Sequence, residues 1–385
     1  MDISHILNHL GEDREQYYGA VAPPVFQTSN FAFRSVAEMR EKLTKELENP
    51  FYTRGYNPTV ASLRKKLAAL EGAEDALVFS SGSAAVAAAV MSVVKAGDHV
   101  VSVKKPYSWT NNLISKYLAK YGVTHTFVDG GEASNFEKAI QENTKLIYLE
   151  SPNSLTFEMQ DIEAVAKIAK AKGITTIIDN SYNSPLNQNP IKMGIDMVVH
   201  SGTKYISGHS DVVCGVVCGT HERIMKMFAE EYMTIGSIIS PNDAALILRG
   251  LRTLELRVNK SADSAKKVAD FAENHPKIKS VYYPFSSKNP QLGLVKKQMK
   301  QGGGLLSIVL DVKEEKQMEV FCDNLKRFLM ATSWGGYESL VFPLCALAAS
   351  KSFENPLPWN MVRLYIGLED PDLLIADLKQ ALDKI

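Results

Sequence analysis

The stretch of sequence that decides the fold begins with Met197-Val198-Val199 and continues, after one histidine, with Ser201-Gly202-Thr203-Lys204-Tyr205. A short apolar run followed by small and hydroxyl-bearing residues is typical of a buried strand that ends in a loop. Lys204 follows this strand closely, and partial removal from water would let its amine form an imine with an aldehyde cofactor. A loop lysine is ordinarily a solvated surface group, so this interpretation depends on the rest of the chain.

Short apolar segments alternate with helical periods on both sides of Lys204. We predict strands over residues 76–79, 99–103, 146–149, 174–178, 197–199 and 212–218, and helices over residues 84–94 and 162–172. This alternation indicates an α/β fold with a mostly parallel sheet that is covered on both faces. Ligands of such sheets bind at the carboxyl ends of the strands, which is where Lys204 lies.

The length of 385 residues favours two domains of unequal size. We expect an N-terminal arm over residues 1–55 that contacts a neighbouring subunit, a large α/β domain over residues 56–245 and a smaller α+β domain over residues 246–385. The smaller domain is predicted from its apolar patterns. They indicate helices over residues 254–273 and 314–325, strands over residues 305–310 and 362–366, and a closing helix.

Composition excludes several classes of protein. Lys plus Arg and Asp plus Glu both number 43, so no net charge attracts nucleic acid or an anionic membrane. The N-terminus lacks a secretory signal, and the longest mainly apolar stretch, residues 84–94, is too short to span a bilayer. Four scattered cysteines give no disulfide framework, and no Cys/His group has zinc-ligand spacing. We therefore expect a cytoplasmic protein without a metal.

Two further polar groups follow predicted strands. Asp179 ends one strand, and its carboxylate could keep a proton on the ring nitrogen of a pyridine cofactor. Ser81, Gly82 and Ser83 lie between another strand and a helix, where free backbone amides could bind a phosphate. Asp179 could instead be a loop or helix-capping aspartate without a ligand, and the Ser-Gly-Ser segment could be a helix N-cap with a glycine turn. Together with Lys204 they form a consistent set of ligands for pyridoxal 5'-phosphate.

Other residues extend this candidate cofactor site. Ser201 and Thr203, two residues apart in a segment taken as extended, could add hydroxyl contacts to the same phosphate. Tyr107 follows a predicted strand and could stack on a pyridine ring and act near the reacting centre, although core packing is the alternative. Tyr52 and Arg54 share one side of an extended segment and could bind a phosphate or form a surface ion pair.

The C-terminal part of the chain carries candidate substrate contacts. Arg363 interrupts an apolar strand, where its charge needs a partner. A substrate carboxylate and a structural ion pair are equally compatible with this position. Ser333 and Trp334 begin a glycine-rich turn that could line a pocket or be a plain loop.

These residues occur in motifs of one enzyme family. The chain resembles, from Pro23 to its C-terminal helix, the Cys/Met-metabolism (trans-sulfuration) family of pyridoxal-phosphate enzymes. The matching elements are Tyr52-x-Arg54 with Asn57-Pro58-Thr59, Ser81-Gly82, Asp179-Asn180, Thr203-Lys204-Tyr205 with Gly208-His209, residues 335–340 and residues 363–369.

The resemblance implies a fold type I (aspartate-aminotransferase-like) enzyme that assembles as a homotetramer of two active dimers. By this analogy Tyr52 and Arg54 bind the cofactor phosphate of a neighbouring subunit, and Tyr107 stacks on the ring. Lys204 and Tyr107 are the implied catalytic residues. Arg363 and Ser333 hold the α-carboxylate of an amino-acid thioether substrate.

Within the family the sequence is most similar to bacterial cystathionine β-lyases. Residues 333–340 follow their tryptophan-containing version of this loop, with Trp334 where γ-acting relatives usually carry leucine, and Trp109 stands where methionine γ-lyases have a reactive cysteine. The implied reaction is β-elimination of L-cystathionine or related cysteine S-conjugates to homocysteine, pyruvate and ammonia. The alternatives are γ-elimination or γ-replacement in the same family and, more remotely, a noncatalytic cofactor-binding regulator.

Overall fold

The computed structural model of the protein describes residues 1–349 and 357–385. The chain forms two compact units. Unit 1 comprises Met1–Ser151, Gln160–Ser207 and Asp211–Arg252, and unit 2 comprises Pro152–Met159, Gly208–Ser210 and the described residues of Thr253–Ile385. The N-terminal residues belong to unit 1, and their contact with another subunit stays a prediction.

Unit 1 is built on a seven-stranded sheet within the described residues. Its strands are β1 (Asp75–Phe79), β2 (His99–Val103), β3 (Thr124–Val128), β4 (Thr144–Glu150), β5 (Thr175–Asp179), β6 (Met197–Ser201) and β7 (Gly215–Gly219). Their order is β1-β7-β6-β5-β4-β2-β3. All neighbouring pairs are parallel except those that β7 makes with β1 and β6. The prediction of a mostly parallel sheet is confirmed.

Helices surround this sheet. They are α1 (Ile3–Asn8), α2 (Val36–Leu43), α3 (Pro58–Glu71), α4 (Gly82–Met91), α5 (Ser108–Asn112), α6 (Ala133–Ala139), α7 (Ile162–Ala171), α8 (Ser184–Asn187), α9 (His221–Met227), α10 (Met233–Ile235) and α11 (Pro241–Leu251). Shorter 3-10 and π-helical turns lie at Arg14–Tyr17, Leu113–Tyr117, Leu118–Tyr121, Pro190–Met193 and Phe228–Tyr232.

Alternation along the strands places apolar side chains on both faces of the sheet. In β4, Leu146 and Tyr148 belong to an apolar cluster with α4 and α9, whereas Ile147 and Leu149 belong to a second cluster with α6 and α7. All four side chains are fully buried. Burial on both faces explains why the strands contain so few polar residues.

Unit 2 contains a five-stranded sheet in its described part. Its strands are β8 (Ile278–Tyr282), β9 (Leu305–Leu310), β10 (Leu329–Met330), β11 (Leu340–Pro343) and β12 (Met361–Tyr365), in the order β10-β11-β12-β9-β8. Its helices are α12 (Leu254–Glu273), α13 (Leu292–Gln298), α14 (Glu315–Asp323) and α15 (Pro371–Leu382), and a 3-10 turn lies at Leu344–Ala349. One apolar cluster joins α12, α14 and α15 to the sheet.

Several sequence-based element assignments need correction. In unit 2, strands β8, β10 and β11 were not predicted. β3 was not predicted, because its polar residues Thr124, His125 and Thr126 hide the strand pattern of a partly exposed edge strand. The strand predicted from residue 212 begins only at Gly215, and Val213 is exposed. In the described part of the chain no helix is both long and apolar enough to cross a membrane.

Candidate active site

The parallel pairing of β5 with β6 positions the first two groups of the candidate site. Asp179 at the end of β5 pairs with Val199, and the amide of Asn180 donates to the carbonyl of Val199 at 2.9 Å. The amide of Ser201 donates to Ser181 Oγ at 2.6 Å. Because both strands end at the same edge, the turn that carries Lys204 starts beside Asp179.

Asp179 has an electrostatic environment that suits a carboxylate facing a cation. It is partly buried, and Ser181 donates its amide to Asp179 Oδ1 at 2.9 Å. Burial raises the pKa of Asp179, while hydrogen bonds from Ser181 and the positive charges of His200 and Lys204 oppose this shift. Lys204 therefore lies within electrostatic reach of Asp179.

Lys204 lies in a tight turn that follows β6. Its amide donates to the carbonyl of Ser201 at 3.1 Å, and the amide of Ser207 donates to the carbonyl of Gly202 at 2.9 Å. The lysine is partly buried, whereas Gly202 and the residues from Tyr205 to Gly208 are buried. The turn thus holds the lysine on a packed base and reduces its contact with water.

The start of α4 forms a second part of the site. Ser81 caps the helix, because its Oγ accepts from the amide of Ala84 at 3.1 Å. The amides of Gly82 and Ser83 make no hydrogen bond to any described residue. A Cβ on Gly82 would lie 3.0 Å from Ser201 Oγ. The helix N-terminus and the Ser201 hydroxyl therefore lie side by side, as a phosphate site requires.

Gly215 in β7 lies under this helix start. A Cβ at this position would lie 2.0 Å from the carbonyl oxygen of Ser81 and 2.7 Å from Ala85 Cβ. Only glycine fits here, because the obstructing atoms are mainly backbone. The close approach of β7 therefore fixes the position of the helix N-terminus.

Thr203 is arranged differently from the sequence-based expectation. It lies in the turn after β6, so Ser201 and Thr203 do not share an extended segment. Its hydroxyl donates to the carbonyl of Cys214 at 3.2 Å and accepts from the amide of Cys214 at 3.0 Å. Since a hydroxyl has one proton to donate, Thr203 would have to exchange this bond to donate to a phosphate.

Tyr107 lies beside the same helix start. Its amide donates to Glu150 Oε2 at 2.6 Å. Although 42% of the residue is exposed, burial of its hydroxyl end raises the pKa of Tyr107; a hydrogen bond with Ser83 lowers it, and the negative charges of Asp179 and Glu150 raise it. Tyr107 therefore lies within electrostatic reach of Asp179 and Glu150.

Tyr52 and Arg54 are exposed in the single chain. The Arg54 guanidinium lies 5.7 Å from the centre of the Tyr52 ring. It forms no ion pair with any described carboxylate. The predicted alternative of a surface ion pair is therefore wrong for the residues described, and the pair stays available to a phosphate.

Arg363 in unit 2 is partly buried and has no carboxylate partner among the described residues. One guanidinium nitrogen donates to the carbonyl of Ser333 at 3.1 Å, and the guanidinium lies 5.2 Å from the centre of the Phe342 ring. Burial lowers the pKa of Arg363 to about 10. A partly buried cation with so few partners suits an anionic ligand.

Two hydrogen bonds to one carboxylate hold the loop that begins with Ser333 and Trp334. Glu369 accepts from the amide and the hydroxyl of Ser339, each at 2.8 Å. Ser333 itself has a φ of 71°, an uncommon conformation for a residue with a side chain. This strained backbone turns the Ser333 carbonyl toward Arg363.

Sequence reasoning missed several supporting residues. The position of Glu150 at the end of a predicted strand was noted, but its bond to Tyr107 was not predicted. Ser181 follows the Asp-Asn pair, and no pattern indicates its bonds to Asp179 and Ser201.

All four cysteines are buried thiols. Across residues 1–349 and 357–385, no group of three or more His, Cys, Asp or Glu is arranged to hold a metal ion.

Comparison with known proteins identifies the family. A model for Cys/Met metabolism PLP-dependent enzymes matches residues 5–383. The chain belongs to this family. The arrangement of Lys204, Asp179 and the start of α4 fits pyridoxal 5'-phosphate, the family's cofactor. The fold is that of the fold type I enzymes.

Relatives within the Cys/Met metabolism family have different activities. L-methionine gamma-lyase of Treponema denticola is 39% identical, and the match covers 98% of this chain and 96% of the relative. Cystathionine beta-lyase of Lactococcus lactis subsp. cremoris is 35% identical, with 98% and 97% covered. The crystal structure of metB from Corynebacterium glutamicum superposes with a TM-score of 0.92 at 36% identity, over 100% of this chain and 98% of the other.

Proposed function

We propose that this protein catalyses β-elimination of L-cystathionine or related cysteine S-conjugates, giving a thiol, pyruvate and ammonia. The membership of a family of PLP-dependent enzymes supports lyase chemistry on amino-acid thioethers. The observation that carries the choice of β-elimination is Trp334, next to the Ser333 carbonyl that binds Arg363. A bulky indole at this position would limit the space for the substrate side chain.

Pyridoxal 5'-phosphate supplies an electron sink for the pair released when the Cα–H bond breaks. Asp179 would hold the proton on the ring nitrogen, because a cation stabilises a partly buried carboxylate. The amides of Gly82 and Ser83 and the hydroxyl of Ser201 would bind the phosphate. These residues therefore bind and orient the group.

Lys204 would take the proton from Cα. Its position within electrostatic reach of Asp179 supports this role. The raised pKa of Tyr107 keeps its phenol protonated at neutral pH, so Tyr107 suits donation of a proton to the leaving sulfur rather than removal of one from Cα. The Cβ–S bond then breaks, its electron pair leaves with sulfur, and the released enamine is hydrolysed to pyruvate and ammonia.

Arg363 would bind the α-carboxylate of the substrate. Its guanidinium forms a fork that matches a carboxylate, and in the described residues no carboxylate of the chain occupies it. The Ser333 carbonyl and the Phe342 ring hold the guanidinium in place. This arrangement supports recognition of an amino acid.

We also propose a homo-oligomer, a tetramer of active dimers, located in the cytoplasm. Tyr52 and Arg54 are exposed in one chain and suit the phosphate of a second subunit. The N-terminal residues expose large apolar side chains, among them Tyr18 and Val36, which association would cover. Four buried thiols without a disulfide agree with a reducing compartment.

A second candidate is γ-elimination, favoured by the 39% identity to a methionine gamma-lyase. It would require removal of a further proton from Cβ, which Lys204 could also accept. Incubation of the enzyme with L-cystathionine distinguishes the two reactions. β-Elimination gives pyruvate and homocysteine, whereas γ-elimination gives 2-oxobutyrate and cysteine. Release of methanethiol from L-methionine as the faster reaction would favour the second candidate, and the Lys204→Ala variant is the control for nonenzymatic product.

A further inference from the structure

A cluster of charges in unit 1 lies on elements that the proposed reaction does not use. Glu12 is its centre, with a side chain that is only 1% exposed. Its carboxylate oxygens lie 2.9 Å from Arg14 Nη2, 3.2 Å from Lys66 Nζ and 3.5 Å from Arg252 Nη2. One carboxylate thus pairs with three cations, which leaves a net positive charge on the four groups.

The three N–H donors of the Lys66 ammonium all have partners within this cluster. Besides Glu12, its ammonium donates to the carbonyls of Ile6 and Leu7, each at 3.1 Å. These three bonds use all of its donors, so Lys66 anchors α1 to α3. The uncompensated charge therefore belongs to Arg14 and Arg252.

The two guanidiniums have unused donors. Among the described residues Arg14 and Arg252 hydrogen-bond through their side chains to Glu12 alone. Each side chain is 36% exposed, so each is accessible from solvent. A guanidinium has five N–H donors in a planar fork that matches carboxylate and phosphate oxygens. Two such forks beside each other can clamp one oxyanion.

Tyr17 adds a neutral donor to this cluster. Its hydroxyl is buried and has no hydrogen-bond partner among the described residues. Burial and the charges of Glu12 and Asp13 raise the pKa of Tyr17, while Arg14 and Arg252 oppose the shift. The phenol stays protonated at neutral pH and lies within electrostatic reach of both arginines. An unpartnered buried hydroxyl is costly, and this one is closed to solvent in the single chain.

An open cleft of about 460 Å³ adjoins this cluster, lined by Asn8, His9, Glu12, Arg14, Val21 and Arg252, among others. We propose that this cleft binds a small molecule with a phosphate or carboxylate group, held between the guanidiniums of Arg14 and Arg252. The ligand is an oxyanion because the cluster offers donors and positive charge but its one carboxylate is already shared. The site is separate from the residues proposed to bind pyridoxal phosphate.

The test is calorimetric titration of the enzyme loaded with pyridoxal phosphate, so that the cofactor's own phosphate site is filled. Inorganic phosphate and succinate are titrated separately, and the tighter of the two identifies the ligand group. We expect saturable binding that the Arg252→Gln variant weakens by roughly tenfold or more. Arg249→Gln is the matched control, because Arg249 is exposed on α11 and forms no ion pair among the described residues. It should bind as the wild type does.

The proposal is overturned if neither anion binds saturably, or if Arg252→Gln binds as tightly as the wild type. It is also overturned if Arg252→Gln alters the molecular mass in light scattering but not anion affinity, since the cleft would then be an interface between copies of the chain. Because binding is measured, the outcome does not depend on which thioether is cleaved.

Discussion

The carbonyl oxygen of Ser81 lies so close to Gly215 that a Cβ on that glycine would be 2.0 Å away. The helix that presents its N-terminus to the candidate phosphate site therefore lies directly on strand β7. A change at this contact should therefore affect both the stability of the sheet and the geometry of the cofactor site. These two effects can be measured separately.

Replacement of this glycine should disturb both properties. We expect Gly215→Ala to lower the free energy of unfolding of the apoprotein by about 1–3 kcal/mol, because a methyl group is forced into a packed contact. The affinity for pyridoxal phosphate should fall as well, because Ser81 must move. Urea unfolding and fluorescence titration with the cofactor measure the two effects. Gly219→Ala on the same strand is the control, since its Cβ would lie 3.2 Å from the nearest atom; equal effects of the two variants would contradict the prediction.

Lys204 should be essential for turnover. We expect Lys204→Ala to lose roughly 10²–10⁴-fold in kcat from the missing proton transfer alone, and to lose the visible absorbance of the lysine-bound cofactor. Both are measured on purified protein reconstituted with excess pyridoxal phosphate. Lys172→Ala, which changes an exposed lysine at the end of α7, should retain both. A Lys204→Ala protein with full activity would refute the assignment.

Asp179 should make cofactor binding depend on pH. Burial raises its pKa, so the carboxylate becomes protonated at a higher pH than an exposed aspartate would. Protonation removes the charge that holds the ring-nitrogen proton, so the affinity of the apoprotein for pyridoxal phosphate should fall as the pH is lowered through this pKa. Asp179→Asn should bind weakly and lose this dependence, whereas Asp263→Asn, at an exposed position of α12, should keep it. A variant at position 179 with the pH profile of the wild type would exclude the role.

Arg363 should determine substrate affinity. We expect Arg363→Gln to raise KM for the amino-acid substrate by roughly ten- to a hundredfold, the value of a charge-assisted pair of hydrogen bonds. Arg363→Lys should recover only part of the loss, because an ammonium cannot form the bidentate fork. Steady-state kinetics measure this, with Arg327→Gln as an exposed control in unit 2. An unchanged KM in Arg363→Gln would assign the arginine a structural role.

The sequence was informative where a signal is local. The helix predicted over residues 254–273 is α12 with the same bounds, and the strand predicted from Met197 is β6. The polar edge strand β3 and the true start of β7 at Gly215 were missed. Local hydrophobicity does not show that the backbone of Cys214 binds the Thr203 side chain before the strand begins.

Long-range contacts in the site could not be predicted from the sequence for the same reason. Glu150 meets Tyr107, and Gly215 meets Ser81, only because the sheet brings distant strand ends together. Lys204, Asp179 and the Ser-Gly turn could be proposed because each follows a recognisable strand. Their supporting residues carry no comparable signal in a single sequence.

The position of β7 in the strand order also bears on how the chain is made. Strand β1 has β7 as its sole neighbour in the described sheet of unit 1, and β7 lies near the end of that unit's sequence. During synthesis β1 therefore cannot pair with β7 until most of unit 1 has left the ribosome. Until then its apolar faces and its unpaired edge are exposed. We expect slow assembly of this sheet and a need for chaperone protection of the nascent chain.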